Sequence, residues 1–176
     1  SGDWFRKNYK VTPATSVTVN KDLPPGNQKT VWFNSRYYRV NILWENNTLR
    51  IRDIHIFNEN LPSVYEQEPT PSNECKFLTL PFVDGLLWSD AQQLAGLRLK
   101  VMVDGKEGPL TGGDPAITSS RKGTLHIAWP LPSIEGTLLM DLNEREMKIT
   151  LKSEKKADWF LALTTAEKKK LPFTNI

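Results

Sequence analysis

The sequence predicts an all-β fold, an antiparallel β-sandwich of jelly-roll type with about ten strands and very little helix. Three observations carry that expectation. Apolar residues recur mainly at every second position, the period of a strand with one buried face. The 12 prolines and 10 glycines are scattered along the chain, as short elements joined by turns require. The clearest pattern also folds back on itself, in residues 36–57.

That stretch, RYYRVNILWENNTLRIRDIHIF, reads as two long strands joined at Glu45-Asn46-Asn47. Tyr38, Val40, Ile42 and Trp44 alternate with Arg39 and Asn41, so one face is apolar and the other wet. Leu49 and Ile51 continue the apolar face, with Arg50 and Arg52 outside. The next apolar pair, Ile54 and Ile56, is out of phase by one residue. Such a slip exchanges the faces, which predicts a bulge near Arg52-Asp53 or a strand buried on both sides beyond it. The hairpin is expected to form the central wall of the sandwich.

The remaining elements follow in order. Residues 1–14 carry Trp4, Phe5 and Tyr9 without a clean period and are expected to pack as an edge strand. Residues 15–20 form a short β-branched strand. Residues 22–27, with two prolines and a glycine, must be loop. Residues 30–34 resume the sheet. Residues 58–73 lose alternation and read as a long loop. Residues 75–83 read as a buried strand interrupted by Pro81, and residues 89–95 as one helical turn capped by Ser89 or Asp90. In residues 97–103, Leu97, Leu99, Val101 and Val103 face in while Arg98, Lys100 and Met102 face out. Residues 108–114 are loop, and residues 124–129 a strand ended by Pro130. Residues 137–142 and 146–151 form a hairpin, residues 158–163 the last strand, and residues 165–170 a charged helical turn. Leu99, Val101, Ile127, Ile149 and Leu161 are expected in the core.

At 176 residues the chain suits one domain, residues 1–176, a whole protein or a part of a larger one. No apolar run approaches the roughly 20 residues of a membrane helix, so no membrane span is expected. The first ten residues hold no apolar leader core, so a signal peptide is expected to be absent or already removed. A single cysteine, Cys75, excludes a disulfide framework within the chain. The net charge is +3, but basic residues have acidic neighbours, as in KSEKKAD. That pattern describes a solvated surface rather than a phosphate track, and no nucleic-acid partner is expected.

No nucleotide-binding glycine loop, serine-hydrolase elbow or zinc-protease motif occurs, so neither cofactor nor metal is expected. His55 and His126 both alternate opposite an apolar face and read as strand histidines. Asp53 and His55 share a face in an i, i+2 relation and can pair, but no serine or cysteine beside them completes a triad. Carboxylates gather around the long loop as Glu66, Glu68, Glu74 and Asp84, with Asp53 able to join them. Cys75 reads as a small buried hydrophobe. The aromatics are the most suggestive group. Trp44, Trp129 and Trp159 fall in phase with apolar neighbours and belong in the core. Trp4, Trp32, Tyr37, Tyr65 and Trp88 lie where the pattern breaks or the chain turns. There a flat ring beside Asn, Asp or Arg can receive the C–H face of a sugar.

The hairpin RYYRVNILWENNTLRIRDI and the segments FVDGLLWS and GTLHIAWP resemble, in style over most of the chain, the accessory β-sandwich domains of secreted bacterial polysaccharide-degrading proteins. The resemblance implies a secreted or periplasmic setting and a carbohydrate partner or a neighbouring catalytic domain. It transfers no catalytic residue. The functional expectation is a non-catalytic carbohydrate-associated β-sandwich, either a glycan-binding module or the accessory domain of a glycosidase. Two alternatives stand beside it: a small jelly-roll hydrolase or lyase using loop carboxylates, and a structural or protein-interaction domain. The expected ligand site is the loop from Asn58 to Asp84, with Tyr65 and Trp88 as stacking residues and Glu66 and Asp84 as polar partners.

Overall fold

In the computed structural model of the protein, residues 2–9, 14–21, 26–57, 80–103, 105–120 and 123–167 are described. They begin with a short helix, α1 (Gly2–Asn8), followed by β1 (Thr15–Val19), β2 (Lys29–Asn34), β3 (Tyr38–Glu45) and β4 (Thr48–Ile56). Next come β5 (Leu80–Asp84), β6 (Gly96–Val103), β7 (Lys106–Pro109), β8 (Ala116–Ser119) and β9 (Leu125–Leu131). A 3-10 turn at Pro132–Ile134 leads to β10 (Gly136–Leu142), β11 (Met147–Ser153) and β12 (Asp158–Thr164). Eight strands form one sheet along the path β1-β2-β3-β4-β6-β12, with β5 also on β4 and β7 also on β6. The other four form the sheet β11-β10-β9-β8. All strand pairs are antiparallel, and the fold is an all-β sandwich.

The hairpin β3-β4 lies in the middle of the large sheet. Asn46 and Asn47 turn it with φ of 51° and 59°, left-handed values that asparagine tolerates because its side chain can bond locally. The bulge sits where the phase slip places it. Asn41 pairs with Asp53 and Ile42 with Ile51, which leaves Arg52 as the extra residue. Beyond it, Ile54 lies opposite Val40 and returns to the core, while Ile56, opposite Tyr38, is exposed at the strand end.

One hydrophobic core lies between the sheets. Val31, Phe33, Val40, Ile42, Leu49, Ile51 and Leu99 meet Leu125, Ile127, Trp129, Leu131, Leu138, Met140 and Leu142 there. Polar ties cross the same gap. The Tyr38 hydroxyl lies 2.8 Å from the Asn143 carbonyl and 2.9 Å from that of Glu146, at the β10-β11 turn. Burial, with the Glu146 charge second, pushes the Tyr38 phenol well above its ordinary pKa of 10.0.

Several expectations need correction. Residues 2–8 are helical rather than an edge strand: Asp3 sits in the first turn and Asn8 Nδ2 donates to the Trp4 carbonyl at 2.7 Å. Trp4 and Tyr9 are exposed and meet edge to face at 6.1 Å, so these aromatics pair locally. Residues 89–95 form an irregular turn in which Asp90 Oδ1 accepts from Gln92 and Gln93, a cap with no helix behind it. Strands β7 and β8 appear where loop, or nothing, was expected. Each is four residues long, with little apolar alternation, and pairs mainly through backbone, with Lys100 and Glu107 adding an ion pair between β6 and β7. Leu161 faces Leu99 but is 39% exposed, because β12 is the edge of its sheet. Ile149 is half-buried against the core, whereas Leu99, Val101 and Ile127 are buried. Residues 165–167 are not helical.

Candidate functional site on the outer face of the large sheet

On a strand, residues flanking a core position point to the opposite face. Val31, Phe33, Val40, Ile42 and Ile54 are core, so Trp32, Arg39, Asn41, Asp53 and His55 project from the outer face. Register arranges them in two rows. Trp32 lies opposite Asn41, Asn41 opposite Asp53, and Asp53 opposite Asp84, across β2, β3, β4 and β5. In the next row Arg39 lies opposite His55, which lies opposite Pro81. The bulge adds Arg52 to the same face, since a bulge turns two successive side chains one way.

The sheet also splits at this point. Strand β4 pairs with β6 at Arg50 and Ile51, and with β5 from Asp53 onward. Two glycines bring the flanking segments against the bulge. A Cβ on Gly85 would lie 2.5 Å from the Arg52 carbonyl oxygen, and one on Gly96 would lie 2.8 Å from that of Ile51. The result is a concavity of about 660 Å³ floored by the two rows and walled by Gly85, Leu86 and Leu87. Leu86 and Leu87 are 84% and 64% exposed and form an apolar rim.

The polar floor is held rigidly. Asn41 is fully buried, and its Nδ2 donates to Thr30 Oγ1 and to the Val31 carbonyl, both at 3.0 Å. Its Oδ1 therefore faces the pocket and accepts from Arg52 Nε at 2.5 Å. Arg39 Nε donates to Asp53 Oδ2 at 2.6 Å. His55 Nε2 lies 3.1 Å from Asp53 Oδ1 and 3.3 Å from Asp84 Oδ2, between two buried carboxylates but without hydrogen-bond geometry to either. Asp84 Oδ1 accepts the Leu86 and Leu87 backbone N–H groups at 2.9 and 2.7 Å, which shapes the turn after β5. Every acid on the floor thus has a donor, as buried charge requires.

Asp53, His55 and Asp84 also offer three metal-ligating atoms within 4.8 Å of one another, all from buried residues. The sequence expects no metal, yet this donor set has a composition that a divalent cation accepts. His55 Nε2 stands close to both carboxylates, and Arg39 offsets the charge on Asp53.

Of the residues expected to bind ligand, Asp84 lines the pocket. Trp88 is 4% exposed, and its carbonyl accepts the Ala166 N–H at 2.8 Å, so its ring is interior and its backbone ties the turn to the chain after β12. Tyr65 and Glu66, like Glu68, Glu74 and Cys75, lie outside the described residues. The pair Asp53–His55 forms as its spacing suggests. Trp32, Arg39, Asn41 and Arg52 were not singled out together. Their signal is a run of polar residues on the supposed wet face of the best-formed hairpin, beside a phase slip. His126 is elsewhere, exposed on β9 with Nδ1 2.7 Å from Asp141 Oδ1. No helix among the described residues is long and apolar enough to cross a membrane. Comparison with family models, with curated proteins and with solved structures returns no match for this chain.

Proposed function

We propose that the protein is a non-catalytic carbohydrate-binding β-sandwich, a glycan-binding module or an accessory domain beside a catalytic one, working in a secreted or periplasmic setting. The observation that carries this reading is the row Trp32–Asn41–Asp53–Asp84 across four strands, with Trp32 at 36% exposure. A sugar presents an apolar C–H face and a rim of hydroxyls. An indole beside fixed amide, guanidinium and carboxylate groups matches both. Mounting these groups on strands keeps them in place before the ligand arrives, which lowers the ordering cost of binding. Titration of a panel of neutral and acidic polysaccharides, followed by tryptophan emission, tests it. A saturable shift that Trp32→Ala abolishes at an unchanged denaturant midpoint is the expected result. Silence across the whole panel, or undiminished binding by Trp32→Ala, would overturn it.

A second reading, a glycan hydrolase or lyase, is favoured by one feature. Asp53 and Asp84 bring carboxylate oxygens within 4.8 Å of each other inside a pocket, near the roughly 5 Å separation of a retaining pair. Against it, Arg39 and two backbone N–H groups already occupy these carboxylates, and His55 sits between them. Release of reducing ends or unsaturated product, lost in Asp53→Asn, would favour the enzyme.

A further inference from the structure

Three arginines crowd the outer face where β4 meets β6. Arg50 and Arg98 are cross-strand partners, and Arg52 is two residues along the same strand. Each donates to neutral oxygens. Arg50 Nη1 reaches the Ala95 carbonyl at 3.0 Å, and Arg98 Nη2 the Leu94 carbonyl at 2.9 Å, with its Nη1 on the Thr164 hydroxyl. Arg52 uses Nε on Asn41 Oδ1. Among the described residues none of the three forms an ion pair, whereas Arg39, on the same floor, is matched to Asp53. Burial, then repulsion from Arg98 and Arg52, lowers the pKa of Arg50, as expected where like charges are held together.

Among the described residues that line the pocket, Arg52 is therefore the cation that forms no ion pair. Its Nε is committed, and the Asn41 amide that holds it is itself fixed by Thr30 and Val31. That leaves the two terminal nitrogens, the pair a guanidinium uses to bridge a planar oxyanion. Holding a guanidinium in one direction at the edge of a cavity costs side-chain entropy and like-charge repulsion, both offset when an anion arrives. We infer that the sugar this pocket takes is anionic, its carboxylate or sulfate seated on Arg52 and its ring against Trp32. The inference rests on the carbohydrate reading above and narrows it to a substrate class.

The test uses the whole chain and four polymers: polygalacturonate, the same polymer methyl-esterified, dextran sulfate and polyglutamate. The expected result is that polygalacturonate binds at least about tenfold tighter than its methyl ester, the scale of a charge-assisted fork. The preference should shrink as NaCl is raised, since salt screens it. Arg52→Gln should erase the difference between acid and ester, and Arg52→Lys should keep part of it. Tight binding of dextran sulfate with the same Arg52 dependence, and none of polygalacturonate, assigns the anion as a sulfate ester and sustains the inference. Equal binding of acid and ester overturns it while leaving the carbohydrate reading intact. Polyglutamate binding as well as the sugars, indifferent to Trp32→Ala, also overturns it, since the arginines would then be a general polyanion strip. If neither these polymers nor the neutral panel binds, both readings fall. Should Arg52→Gln not fold, the acid–ester comparison and the salt titration of the unaltered chain decide.

Discussion

Arg52 and Asn41 meet across the β3-β4 hairpin at 2.5 Å, guanidinium Nε to amide oxygen, although the bulge leaves Arg52 without a cross-strand partner of its own. The residue that breaks the ladder is thus the one that the most buried polar side chain of the sheet orients. A bulge re-aims a side chain, and Asn41 fixes where it aims.

Replacing Asn41 should therefore act on stability and on the site together. Asn41→Ala removes donors to Thr30 Oγ1 and the Val31 carbonyl and frees Arg52. The expected cost is about 1–3 kcal/mol, as for a buried polar group stripped of its partner. Urea denaturation measures it. A midpoint equal to that of the unaltered chain would show that the amide holds nothing in place.

The split in the sheet makes its own prediction at Gly85 and Gly96. In each case the added methyl would meet backbone, which cannot swing aside, and Gly96 also has φ of +148°. Gly85→Ala and Gly96→Ala should each cost about 1–3 kcal/mol, as overpacking does. Gly108→Ala meets nothing within 4 Å and should stay within about 0.5 kcal/mol of the unaltered chain. Thermal or urea unfolding of the three variants gives the comparison. Equal effects at all three sites would mean that close approach at the bulge is not what these glycines serve.

The hairpin was legible because alternation over Tyr38–Trp44 and the slip after Ile51 are local facts, carried by neighbours in the chain. Strands β7 and β8 were not, since a four-residue edge strand pairs through backbone and leaves little trace in side-chain pattern. The candidate site was legible only in part. Asp84 was singled out for its place beside a long loop, and it does line the pocket. Its partners Trp32, Asn41 and Asp53 reach it through register across four strands, at separations no spacing rule links. Trp88 was chosen for standing at a turn, yet turns also bury rings, and this one does.

Edge position separates two leucines that pattern alone treats alike. Leu99 and Leu161 face each other on β6 and β12, at 2% and 39% exposure. Leu99→Ala should cost about 2–5 kcal/mol, the range for a buried large-to-small change. Leu161→Ala should cost under about 1.5 kcal/mol, because much of its surface is already in water. Matching losses in denaturant midpoint would place the edge of the core wrongly.

Alkaline pH should report on Tyr38. Burial raises its pKa in the folded state, so between the ordinary value of 10.0 and the raised one the folded chain keeps a proton that the unfolded chain has lost. Stability from this group is complete below about pH 10 and declines as pH rises toward the folded value. Urea midpoints measured from about pH 9 to about pH 11 should fall, and Tyr38→Phe should flatten that slope. An identical slope in the variant would assign the alkaline loss to other groups.

The last prediction concerns the imidazole between the two acids. His55 Nε2 stands between Asp53 Oδ1 and Asp84 Oδ2, and the ring is 7% exposed. His55→Leu fills similar space with no donor, so two carboxylates within 4.8 Å would face each other unrelieved. The expected cost is about 1–3 kcal/mol. Adding Asp84→Asn should recover part of it. The asparagine oxygen can still accept from Leu86 and Leu87, while its amide N–H₂ can offer Asp53 a donor. In the chain that keeps His55, the same Asp84→Asn change alters the group that stands 3.3 Å from Nε2 and should destabilise. The four proteins form a double-mutant cycle whose coupling should be favourable and clearly above the roughly 0.5 kcal/mol scatter of independent sites. Additive effects would show that His55 fills space in this floor and is not coupled to Asp84.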